Sequence, residues 1–300
     1  MCSSDLRGRK SSVSMISEGL QRFSIGLGKK VLLANEIGAL YKEISGYTGN
    51  DRTMAVVWLG AIAYTFQIYF DFSGYSDMAI GLGKIFGFHF PENFAYPYEA
   101  RSITQFWRRW HMTLSGWFRE YVYIPLGGNQ KGFLRQSINL AVVWFLTGLW
   151  HGASWNFVLW GMYYFVLLLV EKAVGRIAKK KMVQNKFVFL GHIYALVAIV
   201  IGWVIFAFDN MSELAEYLKA MFGIGVETGN ALAWYQWKNY AIFLLILSVG
   251  ATSIPKRLGE RIVPDAAKNL LISLYSLLLL VLSVAFLIGE SYNPFLYFRF

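Results

Sequence analysis

From Leu146 to Gly161 the chain reads LTGLWHGASWNFVLWG, and His151 and Asn156 interrupt what is otherwise a long apolar run. Apolar helix formers flank it from Ile138 to Leu149 and from Trp155 to Val170. The imidazole therefore has little access to bulk water. An ionisable side chain at membrane depth is expensive and marks a functional site by default. The plain alternative is a histidine hydrogen-bonded between packed helices with no further role. Between these two readings the surrounding sequence decides.

The segment from Ile138 to Val170 is 33 residues long, with Lys131 and Arg135 before it and Lys172 after it. Two full spans would need about 40 residues. If the basic flanks place both ends on the cytoplasmic side, the economical solution is a re-entrant hairpin with its apex near Gly148 to Ser154. At about 1.5 Å per residue its arms lift His151 about 18 to 24 Å from that side, within a core about 30 Å thick. Broken helices are tolerated at such depth only where they pack in protein or line a wet cavity. A single steeply tilted helix is the competing arrangement.

Composition agrees with a membrane setting. The 300 residues are 56% hydrophobic, 18% aromatic and 15% charged, with a mean hydropathy of +0.42. The net charge of +10 comes from basic residues in short loops between apolar runs. The positive-inside rule accounts for that distribution, and no nucleic-acid partner is expected. Cys2 is the only cysteine, so neither a disulfide framework nor a thiolate metal cluster can form, and no metal site is expected. Residues 1–13 read as a disordered, non-native start without an apolar signal segment, as if the chain began inside a larger protein. Residues 14–300 read as one membrane domain, with a catalytic core at about 54–170 and C-terminal helices over 187–300.

Outward from the hairpin, Ile16, Leu20, Phe23, Leu27, Val31 and Ala34 recur at helical spacing and predict an amphipathic helix over Ser14 to Tyr41. Met54 to Phe70 is an apolar run near the minimum for a span. Asp71, Ser73, Ser76 and Asp77 follow that helix and precede a glycine-rich piece. Gly81, Gly83 and Gly87 miss the dinucleotide spacing, and read as small residues that let helices approach. Asp71 and Asp77 read as hydrogen-bonding residues within the bundle. Phe106 to Tyr123, FWRRWHMTLSGWFREYVY, predicts one helix with Trp107, Trp110, His111, Leu114, Trp117, Phe118 and Tyr121 on a shared face. PLGGN, Pro125 to Asn129, ends it.

After the hairpin, Lys172, Arg176, Lys179, Lys180, Lys181 and Lys186 form a basic loop before a span from Phe187 to Phe208. The following loop is acidic, with Asp209, Glu213, Glu216 and Glu227. Spans around Tyr240 to Ala251 and Asn269 to Gly289 enclose Lys256, Arg257, Arg261 and Lys268. The loops alternate inside, outside, inside. His192, near the start of a span, reads as an interface residue.

Soluble enzyme templates fail, because there is no G-x-S-x-G elbow, H-E-x-x-H or P-loop. Of the four histidines, His111 and His151 remain as buried candidates. An imidazole can take a proton from a hydroxyl as an acyl group arrives, and no covalent serine is needed when the donor is already a thioester.

The segments YFDFSGYSDMAIGLGKIFGFHFPENFAYPY, FWRRWHMTLSGWFREYVYIPLGGN and LTGLWHGASWNFVLWG, in this order, resemble the membrane-bound O-acyltransferase (MBOAT) family. Within it they are most similar to the AlgI-like branch that O-acetylates alginate and related exopolysaccharides. The resemblance covers nearly the whole chain, from about Arg9 to NPFLYFRF. It implies an all-α, polytopic transmembrane bundle with re-entrant or broken helices, truncated at its N-terminus, in the bacterial inner (cytoplasmic) membrane. It also implies that His151 is the essential base and that His111 supports it or lines the acyl-donor path. No bound cofactor is implied, with acetyl-CoA as the expected acyl donor. Membrane lipids and periplasmic polysaccharide-acetylation proteins are the expected partners.

Further candidates each carry a plain alternative. Arg108, Arg109 and Arg119 could hold the phosphates of coenzyme A, or be snorkelling anchors. Asn156 could donate to a developing oxyanion, or cap a helix. Trp150, Trp155 and Trp160 could stack on sugar rings, or pack at the interface. Gly148 and Gly152 suit close helix packing at the apex. Other functions stay open: D-alanyl transfer to teichoic acid, peptidoglycan O-acetylation, a transporter, and a scaffold for polymer export.

Overall fold

The structure, a computed structural model, describes residues 11–177, 188–289 and 295, and every regular element among them is helical. The expectations for residues 1–10, for the loop lysines at 179–186 and for the closing NPFLYFRF except Phe295 fall outside the described residues. Four described helices are long and apolar enough to cross a membrane: Met54–Ile85, Trp155–Arg176, Phe189–Ala207 and Ala266–Gly289. The protein is a multi-pass helical membrane protein.

The helices gather into two compact units. The first comprises residues 1–39, 66–93 and 253–299. Ser12 caps α1 (Val13–Gly28) by accepting from the Met15 amide, and a π-helical turn over Lys29–Asn35 leads into α2 (Glu36–Ser45). The expected surface helix is thus helical throughout. It packs closely on α3 (Met54–Ile85) in this unit: a Cβ on Gly26 would sit 2.6 Å from the Gly74 carbonyl oxygen, and one on Gly19 the same distance from that of Gly81. Of the three glycines expected to let helices approach, Gly81 does so, whereas Gly83 faces the Phe90 ring and Gly87 ends the helix.

Sequence reading ends the α3 span at Phe70, but the helix runs 32 residues to Ile85. The polar group after Phe70 does not break it because its carboxylates are neutralised by α1 and the π turn. Asp77 binds Arg22 at 2.8 Å and Lys29 at 2.7 Å, and Asp71 pairs with Lys30. The helix ends at a left-handed Gly87, φ +76°, with the Phe88 amide bonded back to the Gly83 carbonyl at 2.8 Å. α12 (Asp265–Gly289) lies along α1, where Gln21 donates to Ser273 at 3.0 Å. Its outer face bears exposed Leu270, Leu274, Leu278 and Val281, as a lipid-facing helix should.

The second unit comprises residues 40–65, 94–252 and 300. Its centre is an antiparallel hairpin of α6 (Gly132–His151) and α7 (Trp155–Ile177), joined across Gly152 to Ser154. That break excludes the single tilted helix and puts the apex where the sequence predicts it. The arms have 20 and 23 residues, about 30 and 34 Å, and of the two α7 alone is both long and apolar enough to cross a membrane.

α8 (Val188–Ala207) runs antiparallel to α7: the Asn156 amide donates to the Phe206 carbonyl at 3.1 Å and the Tyr163 hydroxyl to the Ala198 carbonyl at 2.9 Å. The hairpin apex therefore lies at the same end as the acidic segment after α8. α9 (Met211–Met221) follows, with Asn210 capping it, and Tyr217 donates to the Val57 carbonyl at 2.8 Å. α10 (Ala231–Gly250) begins behind Asn230, which caps the Ala233 amide.

Candidate active site

Two glycines bring the hairpin arms together beneath the apex. A Cβ on Gly148 would lie 3.1 Å from the Phe157 carbonyl carbon, and one on Gly161 3.2 Å from that of Trp144. Only hydrogen fits at these crossings. His151 is the last residue of α6, so its ring sits at the crossing rather than in a loop. It packs edge-on against Trp160 at 5.1 Å, Phe206 at 5.0 Å and Trp150 at 4.9 Å between ring centroids. Trp160 and Phe206 are buried and form the floor under the imidazole, whereas Trp150 is half-exposed at its side.

The opposite wall departs from the sequence reading. The single helix expected over Phe106 to Tyr123 is broken into α4 (Ile103–Trp107) and α5 (Met112–Phe118), with a π-helical turn over Arg119–Tyr123. The break ends on His111, whose backbone is left-handed at φ +43°. Its cause is aromatic packing on two sides. Trp107 inserts between Trp144 and Tyr164 at 4.7 and 4.8 Å, whereas Trp110 packs on Trp203 at 4.7 Å and Phe94 at 5.0 Å. A continuous helix would place these rings on one stripe. The turn instead points each into its own partner. Trp117 and Tyr121, expected on that buried face, are 51% and 65% exposed.

His111 and His151 line one cavity of about 290 Å³. Trp150 bridges them, its ring 6.0 Å from His111 and 4.9 Å from His151. The cavity also touches Arg108, Arg119, Trp160 and Lys172. Trp160 and Lys172 are twelve residues apart on α7, about 18 Å along its axis. The void thus extends along α7 from Lys172 to Trp160, with both imidazoles and mostly apolar side chains in its lining.

Of the other predicted residues, Arg109 turns away and donates to the Tyr96 carbonyl at 3.3 Å and Glu99 at 3.4 Å. Asn156 is fully buried and serves the contact with Phe206, and Trp155 is 75% exposed. Neither lines the cavity. His192 bonds the Ala100 carbonyl at 3.0 Å. Sequence reasoning passes over Lys172 as a loop flank, and over Glu171 beside it. Spacing along α7 could have found Lys172, since it follows Leu168 by four residues and both line the cavity.

A broken helix and a helical hairpin thus hold two histidines on one cavity within a multi-pass helical bundle. The family model for MBOAT, the membrane-bound O-acyltransferase family, matches residues 23–212, and the chain belongs to that family. It is 37% identical over 310 residues to the probable alginate O-acetylase AlgI of Pseudomonas putida, covering 97% of this chain and 63% of that protein. It is 40% identical over 209 residues to the peptidoglycan O-acetyltransferase of Helicobacter pylori, covering 70% and 39% of the two chains. It is 35% identical over 152 residues to the teichoic acid D-alanyltransferase of Bacillus subtilis, covering 44% and 38%. The chain spans less than two thirds of the length of each of these relatives.

Proposed function

We propose that the chain is the core of an acyltransferase of the bacterial inner membrane. It would move an acetyl group from a cytoplasmic thioester, acetyl-CoA, to a hydroxyl of an extracytoplasmic polysaccharide such as alginate. The observation that carries this reading is one cavity whose lining includes Arg108, Arg119 and Lys172 as well as both histidines. Arg108, Arg119 and Lys172 line this cavity and would attract the donor phosphates. The thioester would then reach inward along the apolar walls.

The acceptor hydroxyl gives its proton to His151 as its oxygen bonds the acyl carbon. The carbon–sulfur bond breaks, and the leaving thiolate takes up a proton. His111 lines the thioester's approach. Positioning of both reactants in one cavity would supply much of the rate, because a bimolecular step becomes effectively unimolecular. The alginate-type acceptor rests on the relative matched over nearly all of this chain. Partner proteins on the far side would present the polymer.

The test is acetyl transfer from acetyl-CoA to polysaccharide by membranes carrying the full chain or its His151→Ala variant. Loss of a positioned base should cost about 10²- to 10⁴-fold. A variant that is folded and transfers at the parent rate overturns the catalytic assignment. Flux of polymer without acyl turnover would mark a transporter instead.

A further inference from the structure

We propose that Glu171 is a positioning residue for this site. From the hairpin wall it fixes the α4 segment and so holds His111 in its left-handed turn. The proposal rests on the acyl-transfer reading above and adds to it a residue outside the cavity.

Both oxygens of the Glu171 carboxylate accept from the start of α4, and the Tyr194 hydroxyl of α8 also interacts with the carboxylate. The α4 donors are the Ile103 amide at 2.5 Å, the Thr104 amide at 2.9 Å and the Thr104 hydroxyl at 2.6 Å. Ser102 takes the next amide, that of Gln105, at 3.0 Å. The first three amides of α4, which no helix can satisfy internally, are therefore all bonded. Two of them are bonded by a charged group contributed by another helix. Charge-assisted bonds of this kind are roughly twice as strong as neutral ones.

A helix of five residues has little stability of its own. Beyond it, His111 occupies a conformation that costs a non-glycine residue about 1 to 3 kcal/mol and lasts only where its surroundings impose it. On the far side α5 imposes it: the Ser115 amide bonds the His111 carbonyl at 3.0 Å. On the near side the constraint is α4, which is tied to α7 by Glu171 at its start and by the Trp107 ring on Tyr164 at its end. Lys172, the next residue, faces the cavity. One turn of α7 thus supplies both a cavity wall and an anchor of the opposite wall.

Purified chain in lipid nanodiscs, as parent, Glu171→Gln and Glu171→Asp, is followed by amide hydrogen exchange and by acetyl transfer from acetyl-CoA. Gln keeps one acceptor and presents a donor to the other amide. Exchange should quicken in peptides spanning 101–111 and stay unchanged in those of α6. The kcat should fall about 100-fold, as expected for a displacement near 1 Å, with KM for acetyl-CoA within about twofold. Asp keeps the charge with shorter reach and should recover part of the kcat. Faster exchange with unchanged kcat overturns the positioning role, as does unchanged exchange in 101–111. If Gln does not fold, the Asp variant carries the same two readouts and the same criteria. A parent chain that transfers no acetyl group sinks the acyl-transfer reading instead, and this proposal with it.

Discussion

Lys30 and Asp71 form an ion pair in the interior of the first unit, with side chains 8% and 2% exposed. Lys30 also lies 4.8 Å from the Phe295 ring. The pair joins the π turn after α1 to the middle of α3, at the point where the sequence looked like a helix end. Breaking a buried pair leaves one uncompensated charge, which costs about 3 to 5 kcal/mol. Asp71→Asn should therefore lower the thermal midpoint in detergent markedly. Lys30→Met combined with Asp71→Leu should recover most of that loss. A single variant as stable as the parent would contradict the burial described.

Gly148→Ala places a methyl group against the Phe157 backbone, 3.1 Å from its carbonyl carbon. The backbone cannot yield as a side chain would, so overpacking should cost about 1 to 3 kcal/mol. The apex would shift with it. Thermal unfolding and acetyl transfer should fall together, unlike in His151→Ala, where stability is kept.

Lys172 and Arg109 should separate cleanly in kinetics. Lys172→Ala removes a charge from the cavity wall, and KM for acetyl-CoA should rise about tenfold with little change in kcat. Arg109→Ala removes bonds to Tyr96 and Glu99 and should leave that KM unchanged. Steady-state assays across donor concentrations decide between them.

Asn156→Ala deletes the donor to the Phe206 carbonyl at a fully buried site. A stability loss of about 1 to 3 kcal/mol is expected from the orphaned carbonyl. Calorimetry in nanodiscs measures it.

The hairpin was legible because its signal is local: apolar run, apex glycine, buried histidine and apolar run again. The helical class and the close contacts of Gly81 and Gly148 were readable for the same reason. The break at His111 was not, since helical periodicity holds through FWRRWH, and only the separate partners of Trp107 and Trp110 reveal the turn. Met54–Ile85 was cut short because Asp71 and Asp77 look like breakers until Lys30, Arg22 and Lys29 are set beside them. For the site, His111 and His151 could be paired by residue type and burial. Arg108, Arg109 and Arg119 could not be told apart, because adjacent arginines in a turn face different ways and sequence spacing does not say which.

The two walls of the cavity differ in what they permit. Interlocked backbone at Gly148 and Gly161 leaves the hairpin no slack, whereas the opposite wall meets the cavity through the Leu114 and Ser115 side chains of α5. Acyl groups of different bulk would therefore be accommodated by exchanging those side chains, while the hairpin backbone stays in place. A change of donor can then arise without rebuilding the transfer chemistry.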